Sequence, residues 1–299
     1  MNGVLPLYKE RGMTSFDCIR LLRQLLHTKK IGHSGTLDPN VSGVLPICIG
    51  NATKLVPYLM ASGKVYAGEL LIGEATTTED LDGEVVATKE VTTPISDERI
   101  QAAMAELTGE ITQIPPMYSA VKVNGKRLYE YARAGETVER PHRQVTVKKF
   151  TMSANQYDAA NQQQRVRFEV HCSKGTYVRT LAVDLAKKLG YPGTMSSLTR
   201  LQSGGFDLDQ TLSLADVEEE VNNHTITNYV FPASFVLQKY PQVELTDQQW
   251  KLVQNGGWLK ANQIHHHEQE IVLLYEDEVK AIYQKNGDQY KPATMISTK

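Results

Sequence analysis

The sequence predicts an α+β protein that ends in a small β-rich module. Three observations predict it. Short apolar or alternating runs of strand length (residues 43–50, 64–72 and 165–172) are interleaved with segments whose apolar residues recur at helical spacing, at 13–26 and 174–190. From about Gln238 the pattern changes to short β-like pieces separated by turns. The chain has 299 residues and is 41% hydrophobic, enough for a large buried core in one big domain plus a small one, or in two of similar size.

In order along the chain, residues 4–8 form a first strand. Residues 13–26 form a helix, with Thr14 or Ser15 placed to cap it and Phe16, Ile19, Leu22 and Leu26 at helical spacing. A polar loop, GHSGTLDP from Gly32 to Pro39, precedes a buried apolar strand at 43–50 and a helix at 51–60. Residues 64–72 are strand-like, with Tyr66 near the start, and 76–83 are a turn-rich loop. An amphipathic helix at 97–107 leads to an extended segment at 114–125 that closes in an Asn124-Gly125 hairpin turn. The alternation of charged and apolar residues at 165–172 marks a strand with one wet face. Residues 174–190 are a loop running into a helix that stops at Gly190. The final module, residues 238–299, reads as all β, with pieces at 243–247, 270–275 and 279–283 and a turn at 255–257. The acidic and Asn-rich stretch before it, 218–224, is a weak boundary signal.

Composition excludes several classes. The net charge is -2 and the pI about 6.5, so any polyanion contact has to come from local clustering. Cys18, Cys48 and Cys172 lie far apart with no C-x-x-C, which argues against a disulfide framework or a zinc site and for a reducing cytosol. The N-terminal stretch has no apolar core of a signal peptide, and no run of eighteen apolar residues exists to span a membrane. The histidines at 265–267 read as a solvated loop. Charge does cluster at 121–150, where eight Lys/Arg stand against three Glu, with Tyr118, Tyr129 and Tyr131 in or beside the block. That pattern suits either a surface that grips a nucleic-acid backbone and stacks bases, or an ordinary solvated hairpin.

The GHSGTLDP loop carries one carboxylate, Asp38, among glycines. It lacks the lysine of a phosphate loop, the ligand count of a metal site and the second acid of a glycosidase. Two readings stay open on residues alone: a structural turn Asp before Pro39, or a nucleophile or base held ionised by a distant arginine. Arg179, on the glycine-bent segment CSKGTYVR, is a candidate partner, and Tyr66 could stack on a planar substrate.

The motifs NGVLPLYKERGMTSFD, KIGHSGTLDPNVSGVLPICIGNATKL, KVYAGELLIGEATTTEDLDGEV, IPPMYSAVKVNGKRLYEYARAGETVERPHR, CSKGTYVRTLAVDLAKKLG and SSLTRLQSGGF run in order over roughly residues 2–210. With them the chain resembles the bacterial TruB family, the tRNA pseudouridine-55 synthases. The resemblance implies the pseudouridine synthase fold, a mixed and mainly antiparallel central sheet flanked by helices, over residues 1–237. Within that domain an insertion at about 118–150 would close over the tRNA T-arm, and a PUA-like RNA-binding module would occupy 238–299. It implies that Asp38 is the catalytic aspartate, Tyr66 the tyrosine that stacks on the uracil, with a possible role as base, and Arg179 the partner of Asp38. Tyr177 and Leu198 would line the nucleotide pocket, and His33 would meet the T-loop beside the flipped nucleotide.

The first motif departs from the family, which has Asp-Lys-Pro where this chain has Tyr8-Lys9-Glu10, so a stiffening proline is absent next to the site. The implied reaction needs no cofactor and no metal. The implied partner is tRNA, with no membrane and no obligate protein partner, for a monomeric enzyme of the cytoplasm. Two alternatives stay open: an RNA-guided relative, the catalytic subunit of the box H/ACA particle, and a non-catalytic chaperone that refolds tRNA.

Overall fold

The structure is a computed structural model that describes residues 1–298. In chain order the elements begin β1 (Gly3–Lys9), α1 (Ser15–Leu25), β2 (Ile31–His33), β3 (Ser42–Ile49), α2 (Val56–Ala61), β4 (Lys64–Ile72), β5 (Glu74–Thr76) and β6 (Val85–Thr88). They continue α3 (Asp97–Glu106), β7 (Gly109–Gln113), β8 (Lys122–Val123), β9 (Lys126–Arg127), α4 (Leu128–Ala134), β10 (Arg143–Asp158), β11 (Gln163–Cys172), α5 (Val178–Lys188) and β12 (Gly193–Ser203). The last are β13 (Phe206–Asp207), α6 (Leu214–Asn222), α7 (Ala233–Leu237), β14 (Gln242–Glu244), α8 (Asp247–Val253), β15 (Leu259–Lys260), α9 (Ala261–Ile264), β16 (Glu270–Tyr275), β17 (Glu278–Asn286) and β18 (Gln289–Met295). They gather into two compact units: residues 1–39, 44–61 and 204 onward in the first, 40–43 and 62–203 in the second. Among the described residues no helix is long and apolar enough to cross a membrane.

In the second unit Ser42 and Gly43, the start of β3, pair in parallel with Thr199 and Arg200 of β12. From β12 the sheet continues β4, β11, β10, β7, each pairing antiparallel. This is the mixed, mainly antiparallel sheet that was expected. Helix α5 packs on β12 and β4 through Leu181, Ala182, Leu185 and Ala186, and α3 packs on β10. Strands β10 and β12 had no assignment from sequence periodicity, for a physical reason. Each carries two register shifts (near Val147 and Met152 in β10, near Met195 and Arg200 in β12), and every such bulge interrupts the period-2 alternation.

In the first unit, Thr14 caps α1 in a capping box with Asp17, and Cys18, Ile19 and Leu22 point inward. Phe16, although at helical spacing with them, is 63% exposed. The helix expected at 51–60 begins as a 3-10 turn, Gly50–Leu55, before α2. The C-terminal sheet runs β14, β16, β17, β18, β15. Because successive strand residues face opposite ways, Val272 and Ile282 enter one core with Cys48, Leu55, Leu59 and Phe206, while Ile271, Leu273, Ala281 and Tyr283 enter another with Trp250, Val253 and Leu259. Burial on both faces explains why β16 reads as a continuous apolar run. The module is not all β: α8 is capped by a Thr246–Gln249 box and inserts Trp250 and Val253 into the second core.

Gly43 allows β3 to meet β12. Its φ is +114°, and a Cβ there would lie 2.2 Å from the Arg200 carbonyl oxygen. Gly43→Ala combines backbone strain with overpacking against a main chain that cannot move aside. It is expected to lower unfolding free energy in urea by on the order of 3 kcal/mol. A loss below about 0.5 kcal/mol would contradict this role.

Candidate active site

Asp38 belongs to the first unit, on the loop between β2 and β3. The residues on either side of it are fixed by the segment between β1 and α1. Ser15 Oγ accepts from the Leu37 N–H at 3.0 Å and lies 3.2 Å from the Leu37 carbonyl oxygen, to which it donates. The Pro39 carbonyl accepts from the Gly12 N–H at 2.9 Å and from Lys9 Nζ at 3.1 Å. Lys9 is fully buried, and its ammonium also donates to the Met13 and Glu10 carbonyls at 2.7 and 2.9 Å. A buried ammonium is tolerable when its donors are satisfied in this way. These hydrogen bonds stiffen the segment, and Glu10, which stands where the resemblance implies a proline, is exposed. Leu37 is buried and anchors the loop, while Asp38 is half-buried. His33 sits on β2 opposite Ile47, also half-buried.

Tyr66, Tyr177, Arg179 and Leu198 belong to the second unit. Tyr66 is buried on β4, opposite Val170 of β11 and Arg200 of β12. Leu198 lies opposite Gly68, two residues along from Tyr66, so Tyr66, Leu198 and Arg200 share one face of the sheet. A Cβ at Gly68 would fall 2.5 Å from Phe168 Cζ and 3.0 Å from Leu198 Cδ1, so its absence makes room for both side chains. Arg200, 1% exposed, is a cation beside Tyr66 that sequence reading passed over; its signal was an arginine inside the SSLTRLQ motif. At the start of β4, burial and the Arg200 charge draw the Lys64 ammonium down to about 8.

Tyr177 precedes α5 and is held through its backbone. The side chain of Gln113, buried at the end of β7, accepts from the Tyr177 N–H at 2.9 Å and donates to its carbonyl at 3.1 Å. Two residues on, Arg179 is 7% exposed. Its guanidinium donates to the Thr78 carbonyl at 2.9 Å and the Tyr118 carbonyl at 3.0 Å, and lies 3.6 Å from Asp80 Oδ2. Asp80 is thus a carboxylate beside Arg179 that sequence reading left inside a turn-rich loop. Its Oδ1 accepts from the Thr78 hydroxyl and the Asp82 N–H, and the Asp82 carboxylate accepts from the amide of Asn40, two residues after Asp38 in the chain. Burial pushes the thiols of Cys48 and Cys172 up to about 12 and about 11, so both stay protonated at neutral pH and offer no nucleophile.

The basic insertion forms the β8–β9 hairpin, turned at Asn124 and Gly125 with φ of 51° and 82°, and then α4. Tyr129 carries Arg127 and Arg133 over its ring at 5.7 and 5.3 Å, and Lys126 covers Tyr131 at 4.6 Å. These rings are already engaged by their own cations, which leaves a rim of exposed charge, Lys122, Arg127 and Arg133.

Comparison with known proteins gives the class. Residues 23–178 match the TruB family pseudouridylate synthase N-terminal domain, and residues 179–238 match the tRNA pseudouridylate synthase B C-terminal domain. This chain belongs to the TruB family of pseudouridylate synthases. Among curated relatives it is similar to the tRNA pseudouridine synthase B of Limosilactobacillus reuteri, 62% identical over 299 residues and 99% of each chain. It is 56% identical to the protein of the same name from Levilactobacillus brevis, again over 99% of each. Among solved structures, the fold is like that of a chain in a Cbf5-Nop10-Gar1 complex, with TM-score 0.75 and 24% identity over 99% of this chain and 85% of that one. A chain in an H/ACA RNP bound to a substrate RNA containing 2'-deoxyuridine is similar at TM-score 0.74 and 21% identity, over 99% and 85%.

Ser15→Ala removes both side-chain bonds to Leu37. The expected result is a stability loss of about 1–3 kcal/mol, with amide exchange speeding up at Leu37 and unchanged in the core of β4. Unaltered exchange at Leu37 would show that Ser15 does not hold the loop.

Proposed function

We propose that this protein isomerises uridine 55 in the T-loop of tRNA to pseudouridine, with Asp38 as the catalytic carboxylate. The observation that carries the reading is the Asp38 peptide itself: its two neighbours are pinned through Leu37 and Pro39, and its side chain is left half-buried, as a reacting carboxylate requires. The name of the 62%-identical relative supplies the substrate class.

The target base is stacked in a folded RNA loop, so the nucleotide is flipped out, at a cost of a few kcal/mol that stacking and backbone contacts offset. Tyr66 offers the aromatic face and Leu198, on the same side of the sheet, the apolar wall. Tyr177 borders the nucleotide and His33 meets the T-loop. The N1–C1′ bond then breaks, the uracil turns, and C5 bonds to C1′. N1 takes up a proton and the C5 hydrogen leaves to solvent. Asp38 assists cleavage by attack at C1′, by attack at C6, or by taking the C2′ proton. Arg179, itself fixed by Thr78, Tyr118 and Asp80, takes the role of cationic partner to Asp38. Reactant and product are isomers, so the step consumes no redox or group-transfer partner. The rim of Lys122, Arg127 and Arg133 grips the T-arm phosphates, and residues 238–299 act as the PUA-like RNA-binding module. The enzyme works as a monomer without a guide RNA.

Tritium release from tRNA transcript labelled as [5-³H]uridine, with no guide RNA added, tests the reading. Wild type is expected to release one tritium per tRNA, and Asp38→Asn to bind tRNA with similar affinity and release none. Release by Asp38→Asn would overturn the assignment of Asp38. A folded, tRNA-binding wild type without release would favour the guided enzyme or the chaperone.

A further inference from the structure

Between the two loop residues that meet Arg179, Thr78 and Asp80, stands Glu79. Its backbone lies in the left-handed region at φ +66°, which a residue with a Cβ rarely adopts. Strain of this kind persists only where surrounding contacts enforce it. Here the Glu79 carbonyl accepts from the Met195 N–H of β12 at 3.0 Å, and Oε2 accepts from the Thr180 hydroxyl at 2.8 Å. Thr180 follows Arg179 on α5, so Glu79 ties its loop to the helical turn that carries the arginine. The reversal at Glu79 is what brings a carbonyl from one side of it and a carboxylate from the other onto the same guanidinium nitrogen, at 2.9 and 3.6 Å. The charged groups that bear on Glu79 are Arg179, Lys187 and Asp184, all on α5. Burial raises the Glu79 carboxyl above its ordinary range, while the Thr180 hydroxyl and the two cations favour its ionised form.

We propose that Glu79 is a positioning residue for the reaction: through its left-handed turn and its bond to Thr180 it holds Thr78 and Asp80 against the Arg179 guanidinium. It acts through Arg179 and does not touch the uridine. The inference rests on the role given to Arg179 above, and adds to it a residue of the KVYAGELLIGEATTTEDLDGEV motif that had been given no role. Glutamate suits the task because its chain is long enough to cross from the loop to α5. Glutamine has the same length and keeps a carbonyl oxygen to accept from Thr180.

The test compares single-turnover tritium release and tRNA binding for the full-length protein and its variants. Glu79→Ala is expected to slow the chemical step about tenfold with tRNA affinity within about twofold, since small misplacements of an active-site group have effects of this order. Glu79→Gln is expected to stay within about threefold of wild type. Thr180→Val breaks the same bond from the other side, so it should reproduce the slow step and carries the test if Glu79→Ala does not fold. In an Arg179→Lys background the Glu79→Ala change should cost little more, because both act through one group. A wild-type rate in folded Glu79→Ala, an equal loss in Glu79→Gln, or a full additional loss in the Arg179→Lys background would each overturn the inference. A wild type that binds tRNA without releasing tritium would overturn the functional reading itself, and this inference with it.

Discussion

A buried guanidinium is costly unless its N–H groups find acceptors, and Arg179 meets that demand by recruiting separate stretches of the chain. It reaches the Thr78 carbonyl, the Tyr118 carbonyl and the Asp80 carboxylate from the first turn of α5. The turn-rich loop after β5, the start of the basic insertion and the helix are thereby locked to one cation. On the same turn, Gln113 grips the Tyr177 peptide on both sides, while α5 packs on β4 and β12. Removing any one acceptor leaves a buried charge short of a partner, so the fold and the geometry of the site fail together.

The Asp38 loop obeys the same economy in a different form. A glycine-containing loop is flexible by nature, and Ser15, Lys9 and the Gly12 N–H help fix its backbone. The buried Lys9 ammonium joins three carbonyls.

Much of this was legible in the sequence. The sequence pattern located β1, α1, β3, β4 and β11 to within about two residues and placed α5 ahead of its glycine stop, because each buries at least one face. Strands β10 and β12 were illegible because their bulges break the alternation, and α8 was missed because a seven-residue helix among strands leaves little periodic signal. At the site, the motifs led to Asp38, Tyr66 and Arg179, but no local pattern points from Arg179 to Asp80, ninety-nine positions earlier, or from Tyr66 to Arg200. Those partnerships arise from strand register and loop closure, which pairwise spacing does not encode. The basic and aromatic block was left open between a base-stacking surface and a solvated hairpin; composition could not show that Arg127 and Arg133 cover Tyr129 and that Lys126 covers Tyr131.

The proposed role of Arg179 depends on its rigidly seated guanidinium. Arg179→Lys tests it most directly, because lysine keeps the charge and loses the planar fork that spans the acceptors. The measurement is the single-turnover rate of pseudouridine formation alongside tRNA affinity and thermal stability. The predicted result is a chemical step slowed by about a hundredfold or more, with tRNA still bound. A folded Arg179→Lys enzyme that converts tRNA within about threefold of the wild-type rate, a change of less than about 1 kcal/mol in barrier, would contradict the claim.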